Sequence, residues 1–287
     1  MDIPGALLLA AGLFLVLLLV SETTLWSRHL ELALTLAAVA VLLMCLWTAY
    51  ERRATSPLVD VRLLRHRAVA GANAAMLIGG VGMYLLLALI TRYAQTPRSA
   101  GYGFGLTTFV AGLVLVPFSV LGFAAAKLTP RLRERVGAPS LLAGSAVVVL
   151  VAFLVFATAR SNLAELLVSM AILGFGVGSF SAAMPGVILA VTSSSETTSA
   201  MSFNQVVRSV GFSLGSAIGG LVLAAGTHTG HLFPTDAAYT TAASIGIVVM
   251  TITAVTIIVL ARHRVPETEA TESPAGSSPR RGNGQEG

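Results

Sequence analysis

Eight long apolar runs dominate the sequence, at residues 3–20, 30–50, 68–90, 104–126, 141–159, 166–191, 206–225 and 239–261. Each lies near the roughly 20 residues that a helix needs to cross the hydrocarbon of a bilayer. In lipid every backbone N–H and C=O must be satisfied within the protein, so such runs are read as helices. Composition agrees: 55% of the residues are apolar and 11% charged, whereas a soluble domain carries about a quarter charged. Mean hydropathy is +0.83. A water-soluble fold of this length leaves too much surface wet to hide that apolar content. The expected fold class is all-α integral membrane, with eight transmembrane helices.

The net charge of +5 is explained by orientation in the bilayer and not by nucleic acid, because the basic residues sit in short stretches between apolar runs. Fourteen fall on the side of the C-terminus: Arg52, Arg53, Arg62, Arg65, Arg67, Lys127, Arg131, Arg133, Arg135, Arg208, Arg262, Arg264, Arg280 and Arg281. Four fall opposite, namely Arg28, Arg92, Arg98 and Arg160. The positive-inside rule then predicts a multi-pass protein of the cell membrane with both termini cytoplasmic. Asp2 precedes the first run in place of a basic cluster, so the run is expected to be a span and not a cleaved signal. The basic segment 51–67 is either a hinge or an orientation signal. The tail, 263–287, has almost nothing apolar to bury and is expected to be disordered.

Catalytic chemistry has no foothold. None of the thirteen Asp and Glu residues falls near the middle of a run, whereas an intramembrane carboxylate is the usual proton or cation site. His228 and His231 lack a convincing third ligand. No metal site, cofactor or enzyme activity is expected. Cys45, the single cysteine, reads as a small packing residue. The run Gly174–Gly178 lacks the Lys-Ser/Thr of a phosphate loop.

What the sequence does carry is close-packing apparatus. Gly211, Gly215 and Gly219 recur every four residues, a spacing that lets helix backbones touch in lipid. Pro185 follows a glycine-rich stretch. This pattern suits both sliding helices and a rigid bundle. Asn73, Asn204 and Gln205 need partners or a wet cavity. Tyr84, Met76, Met83, Phe118 and Met184 would suit a cavity for bulky apolar cations, because soft and aromatic side chains adapt to varied shapes.

Residues 57–67 (PLVDVRLLRHR), the glycines of 101–105, and 173–220 (LGFGVGSFSAAMPGVILAVTSSSETTSAMSFNQVVRSVGFSLGSAIGG) together carry a resemblance. From about residue 3 to 262 the chain resembles the C-terminal part of the fourteen-helix drug:proton antiporters of the major facilitator superfamily, the EmrB/QacA type. That resemblance implies a two-helix inserted hairpin over 1–50, a cytoplasmic linker over 51–67 and the second six-helix bundle over 68–262. It also implies that 127–137 (KLTPRLRERVG) is the charged loop between the second and third helices of a bundle, here without that pattern's Asp. A proton gradient as energy source is implied by the resemblance alone.

The expected function is therefore a partial proton-coupled multidrug efflux permease, incompetent without a first six-helix bundle. The expected partners are the lipid bilayer, a hydrophobic or cationic small molecule, and a separate six-helix half or a second copy. The alternative is a non-transporting membrane assembly subunit with the same fold. The cavity candidates are Asn73, Met76, Tyr84, Phe118 and Met184. Asn204, Arg208, Gly211, Gly215, Gly219 and Pro185 are the gate or bundle-interface candidates, with Asn204 and Arg208 expected at the cytoplasmic start of the seventh span.

Overall fold

The computed structural model describes residues 3–22, 25, 29–53, 67–189, 197–228 and 230–262. Most of the segment 51–67, read as a hinge or an orientation signal, and all of the tail 263–287, read as disordered, lie outside the described residues. Among the described residues the fold is all-α: α1 (Ile3–Ser21), α2 (Leu30–Glu51), α3 (Arg67–Gln95), α4 (Thr108–Leu113), α5 (Leu115–Val136), α6 (Ala138–Thr158), α7 (Leu163–Leu189), α8 (Thr197–Ala225) and α9 (Asp236–Arg262).

α4 and α5 form one crossing, Thr108–Val136. The break at Val114 is a kink with helical dihedrals. Pro117 causes it, because a proline supplies no N–H to the carbonyl four residues back and its ring crowds that carbonyl. Among the described residues, seven helices are long and apolar enough to cross a membrane. The eighth, α1, has 19 residues, or about 28 Å of helical rise, close to the hydrocarbon thickness.

Two boundaries differ from the sequence reading. Segment 127–136 is not a loop: α5 continues through it to Val136 despite Pro130. The chain then turns at Gly137 (φ 79°) straight into α6. α8 begins at Thr197, nine residues before the apolar run, and carries Asn204 and Arg208 within the helix.

α1 and α2 pair as a hairpin, and α1 lies against α8. In the bundle, α5 rests on α7, α3 on α8, and α6 and α9 sit behind them. The core fills the space between α3, α6, α7 and α9 with Leu85, Leu86, Leu89, Phe153, Phe156, Phe180 and Met170, all fully buried. Phe153 lies over Gly246 of α9, where a Cβ would overlap its ring.

Two glycine seams set the tight crossings. Between α5 and α7, a Cβ on Gly178 would lie 2.7 Å from the Cα of Gly122, and one on Gly174 would lie 2.5 Å from the Cα of Phe118. Between α3 and α8, a Cβ on Gly211 would lie 2.5 Å from the Leu77 carbonyl oxygen and one on Gly215 would lie 3.0 Å from the Leu85 nitrogen. Backbone contact of this kind is how helices associate where lipid offers no hydrophobic gain.

Candidate functional site

α1, α3 and α8 run in the same direction, and their packing leaves a cavity of about 860 Å³, in the size range of drug-sized pockets. Phe14, Leu17 and Leu18 of α1 form its apolar wall. The opposite wall is the α8 stripe Ser209, Phe212, Ser213, Ser216 and Gly220, with Tyr84 and Arg92 from α3. The stripe follows helical spacing: residues three and four apart share a face. Tyr84 stacks on Phe212 with ring centroids 5.3 Å apart. The Ser209 and Ser213 hydroxyls donate to carbonyls one turn back, at 3.1 Å each, so this wall is polar yet internally satisfied.

The structure gathers some of the sequence-named residues and scatters others. Tyr84 lines the cavity. Met76 and Met184, 2% and 1% exposed, are core side chains, and Met83 is buried with them. Phe118 is half-buried against the core, and its backbone forms part of the α5–α7 seam. Asn73 does not face the cavity. Its Nδ2 donates to the Val69 carbonyl at 3.0 Å, and its Oδ1 accepts from Nδ2 of Asn204 at 3.0 Å. That amide pair, with both residues buried, satisfies two polar groups that lipid could not and ties α3 to α8. Gly211, Gly215 and Gly219 face α3 of the same bundle, so the surface they form is internal and not one offered to a second bundle. Pro185 lies inside α7, beside Gly186, where the Arg133 side chain of α5 rests: a Cβ at 186 would meet its Cδ at 3.1 Å.

Arg208 departs most from expectation. It stands eleven residues into α8, about 16 Å along the axis. Its Nη1 donates to the Ser181 hydroxyl of α7 at 3.4 Å, and its Cζ sits 5.5 Å over the Phe212 ring. Nε is buried with no hydrogen-bond partner among the described residues. Every described carboxylate, by contrast, lies at or beyond a helix end. The cavity wall contains no acid, and its one charge is Arg92. Sequence reasoning left Arg92 in the orientation count, although its place eight residues after Tyr84 puts both on one helix face. Cys45, read as a packing residue, is exposed on α2.

At the opposite end of the bundle from Asn73, an aromatic and ionic cluster joins three helices. Arg160, between α6 and α7, pairs with Asp236 of α9 at 2.7 Å and donates to the Thr240 hydroxyl at 2.6 Å. Its guanidinium lies 5.5 Å from the Tyr93 centroid and 5.6 Å from that of Phe156. Tyr239 shares a 3.2 Å hydrogen bond with Thr96, and the Tyr102 hydroxyl donates to the Pro234 carbonyl. Burial pushes the Tyr102 phenol up to about 12, with Tyr239 adding to the rise. Gly103 (φ 80°) closes the turn against Thr96, whose Cβ is 2.8 Å from where its own would be.

The family model described as Major Facilitator Superfamily matches residues 97–283, more than half of the chain. The chain belongs to this superfamily. Among superfamily relatives, the multidrug resistance protein Stp of Mycobacterium tuberculosis (strain ATCC 25618 / H37Rv) is 30% identical over 194 residues, which are 64% of this chain and 35% of Stp. The puromycin resistance protein pur8 of Streptomyces alboniger is 29% identical over 190 residues, 62% of this chain and 35% of pur8. The quinolone resistance protein NorB of Staphylococcus aureus (strain MRSA252) is 27% identical over 150 residues, 52% of this chain and 31% of NorB. The likeness thus spans about a third of each relative's length. Membership makes this a multi-pass membrane bundle of a transporter superfamily.

Proposed function

We propose that the chain is the inserted hairpin and second six-helix bundle of a drug exporter of the EmrB/QacA type, carrying a hydrophobic compound across the cell membrane with both termini in the cytoplasm. The observation that carries the reading is the 194-residue likeness to a protein named for multidrug resistance. The cavity between α1, α3 and α8 supports it, being of ligand size and part apolar, part hydroxyl-lined. Transport in folds built from paired bundles works by rocking one against the other about a midplane site. One bundle offers half of such a site, so efflux needs a further six-helix bundle, as a separate half or a second copy. Proton coupling is part of the proposal, and the groups that carry it belong to that other bundle.

The test uses the full chain in sealed vesicles with an imposed pH gradient and a fluorescent hydrophobic dye. The expected result is no gradient-dependent efflux from the chain alone and efflux once a six-helix half is co-reconstituted. Turnover by the chain alone would refute the half-site argument. A second reading, a non-transporting assembly subunit, is favoured by one observation: the described spans hold no mid-helix carboxylate. Crosslinking to a six-helix partner without restored efflux would select it.

A further inference from the structure

We propose that the end of α5 is a binding site for one anionic phospholipid. Its head lies on Lys127, Arg131 and Arg135, and its acyl chain follows the apolar ridge that leads to them. At 3.6 residues per turn, Val116, Val120, Phe123, Lys127, Arg131 and Arg135 fall along one side of the helix. All six are exposed, with Val116, Val120 and Phe123 at 50%, 56% and 66%. The opposite side is fixed inside the bundle: Ala125 and Thr129 are buried, and the Arg133 side chain rests at Gly186 of α7. The register of α5 is thus set, and its outer edge changes from apolar to basic between Phe123 and Lys127. Glu134, the acid of this segment, makes no ion pair with the three cations among the described residues.

Depth puts that change of character where phospholipid heads are. Residues 109–126 rise about 27 Å, close to the roughly 30 Å of hydrocarbon, and the polar region on each side adds about 5–8 Å. Lys127 and Arg131 then sit about 2 and 8 Å past the hydrocarbon edge, and Arg135 about 14 Å past it. Helix side chains lean toward the N-terminus, which here is toward the bilayer, so each cation reaches back from its Cα. Lys127 does so: its Nζ lies 5.5 Å over the ring of Phe123, one turn nearer the bilayer. Leu128, Leu132 and Val136, 40%, 36% and 51% exposed, flank the basic stripe. Such a flank is costly in water and suits a helix face set among lipid heads and chain tops. Orientation alone asks for positive charge at this end of the bundle but sets no register. Three cations in one line, continuing an apolar ridge, match the outline of a single acidic lipid, and basic groups at this depth are drawn to anionic heads.

The experiment uses the full chain in phosphatidylcholine nanodiscs holding a small fraction of photoactivatable phosphatidylglycerol or, in parallel, photoactivatable phosphatidylcholine. The diazirine is on the acyl chain, and crosslinked peptides are mapped by mass. The expected result is about tenfold more phosphatidylglycerol than phosphatidylcholine adduct on residues 109–126, with equal yields on the exposed face of α9. High salt should shrink the excess, because exposed charges are screened. Lys127→Gln, Arg131→Gln and Arg135→Gln together should bring the two yields level. Unchanged phosphatidylcholine adducts and an unchanged monomer peak serve as the fold check. Arg131→Gln alone should remove part of the excess, and covers a triple variant that fails to assemble. Equal yields in the unaltered chain overturn the proposal, as does an excess that survives these substitutions. Loss of the excess on adding inorganic phosphate gives the stripe to a free anion and overturns the lipid assignment. Loss on co-reconstituting a six-helix half gives the face to a protein interface and overturns it equally.

Discussion

Gly211→Ala is the sharpest perturbation of the scaffold, because the obstacle it meets is backbone. The added Cβ would lie 2.5 Å from the Leu77 carbonyl oxygen and 3.3 Å from the Gly80 Cα and the Val81 nitrogen. Ordinary contact begins near 3.4 Å, so α3 and α8 must part locally by about 0.9 Å. No rotamer change relieves this. Overpacking of this kind costs about 1–3 kcal/mol, and a gap near 1 Å forfeits a quarter to a half of the dispersion along the seam. Two turns away, the Asn73–Asn204 bond at 3.0 Å is stretched by the same separation. For a chain of this size the melting temperature should fall by roughly 3–10 °C. Gly220→Ala makes the same chemical change in the same helix with nothing within 4 Å, and should leave the melt within about 2 °C. Thermal unfolding of the purified chain, followed by tryptophan fluorescence and by the monomer peak on size exclusion, reads both variants. If the two melt alike, close approach is not what the glycine at 211 provides.

Three further outcomes follow from the same geometry. Asn204→Leu strands the buried Asn73 amide and should cost about 1–2 kcal/mol, while Asn73→Leu with Asn204→Leu recovers part of it, in the same melt. The Tyr102 phenol, held near 12 against an ordinary 10, is protonated in both states below pH 10. Between about pH 10 and 12 the unfolded chain loses that proton first, so stability falls across this window; Tyr102→Phe should flatten the slope in melts taken along an alkaline series. Cys45, exposed on α2, should react in intact vesicles with an apolar maleimide and stay unlabelled by a charged, impermeant one; labelling by both would place α2 in water.

The spans were legible because lipid allows few answers to a 20-residue apolar run. The glycine seam was legible because its spacing repeats with the helix turn. What failed was reading polarity as an end signal. Residues 197–205 fall before the seventh apolar run, yet they are helix, because Asn204 finds Asn73 across the bundle. Residues 127–136 misled in the same way, since a helix can run past its apolar part with its charges exposed. Residue type also could not say which of several similar side chains faces a cavity. Met76, Met184 and Tyr84 were chosen on the same grounds, and only Tyr84 is on its wall.

Arg208, eleven residues into α8, limits what the described spans could contribute to proton coupling. A coupling group must gain and lose charge at working pH, and a guanidinium does not. His228 and His231, among the described residues, are exposed beyond the end of α8, and the described carboxylates lie at or beyond helix ends. The described spans therefore supply a fixed positive charge and a shaped surface. Two glycine seams and a core of fully buried phenylalanines hold that surface as one body, with the Arg160–Asp236 cluster pinning the end opposite Asn73 and Asn204.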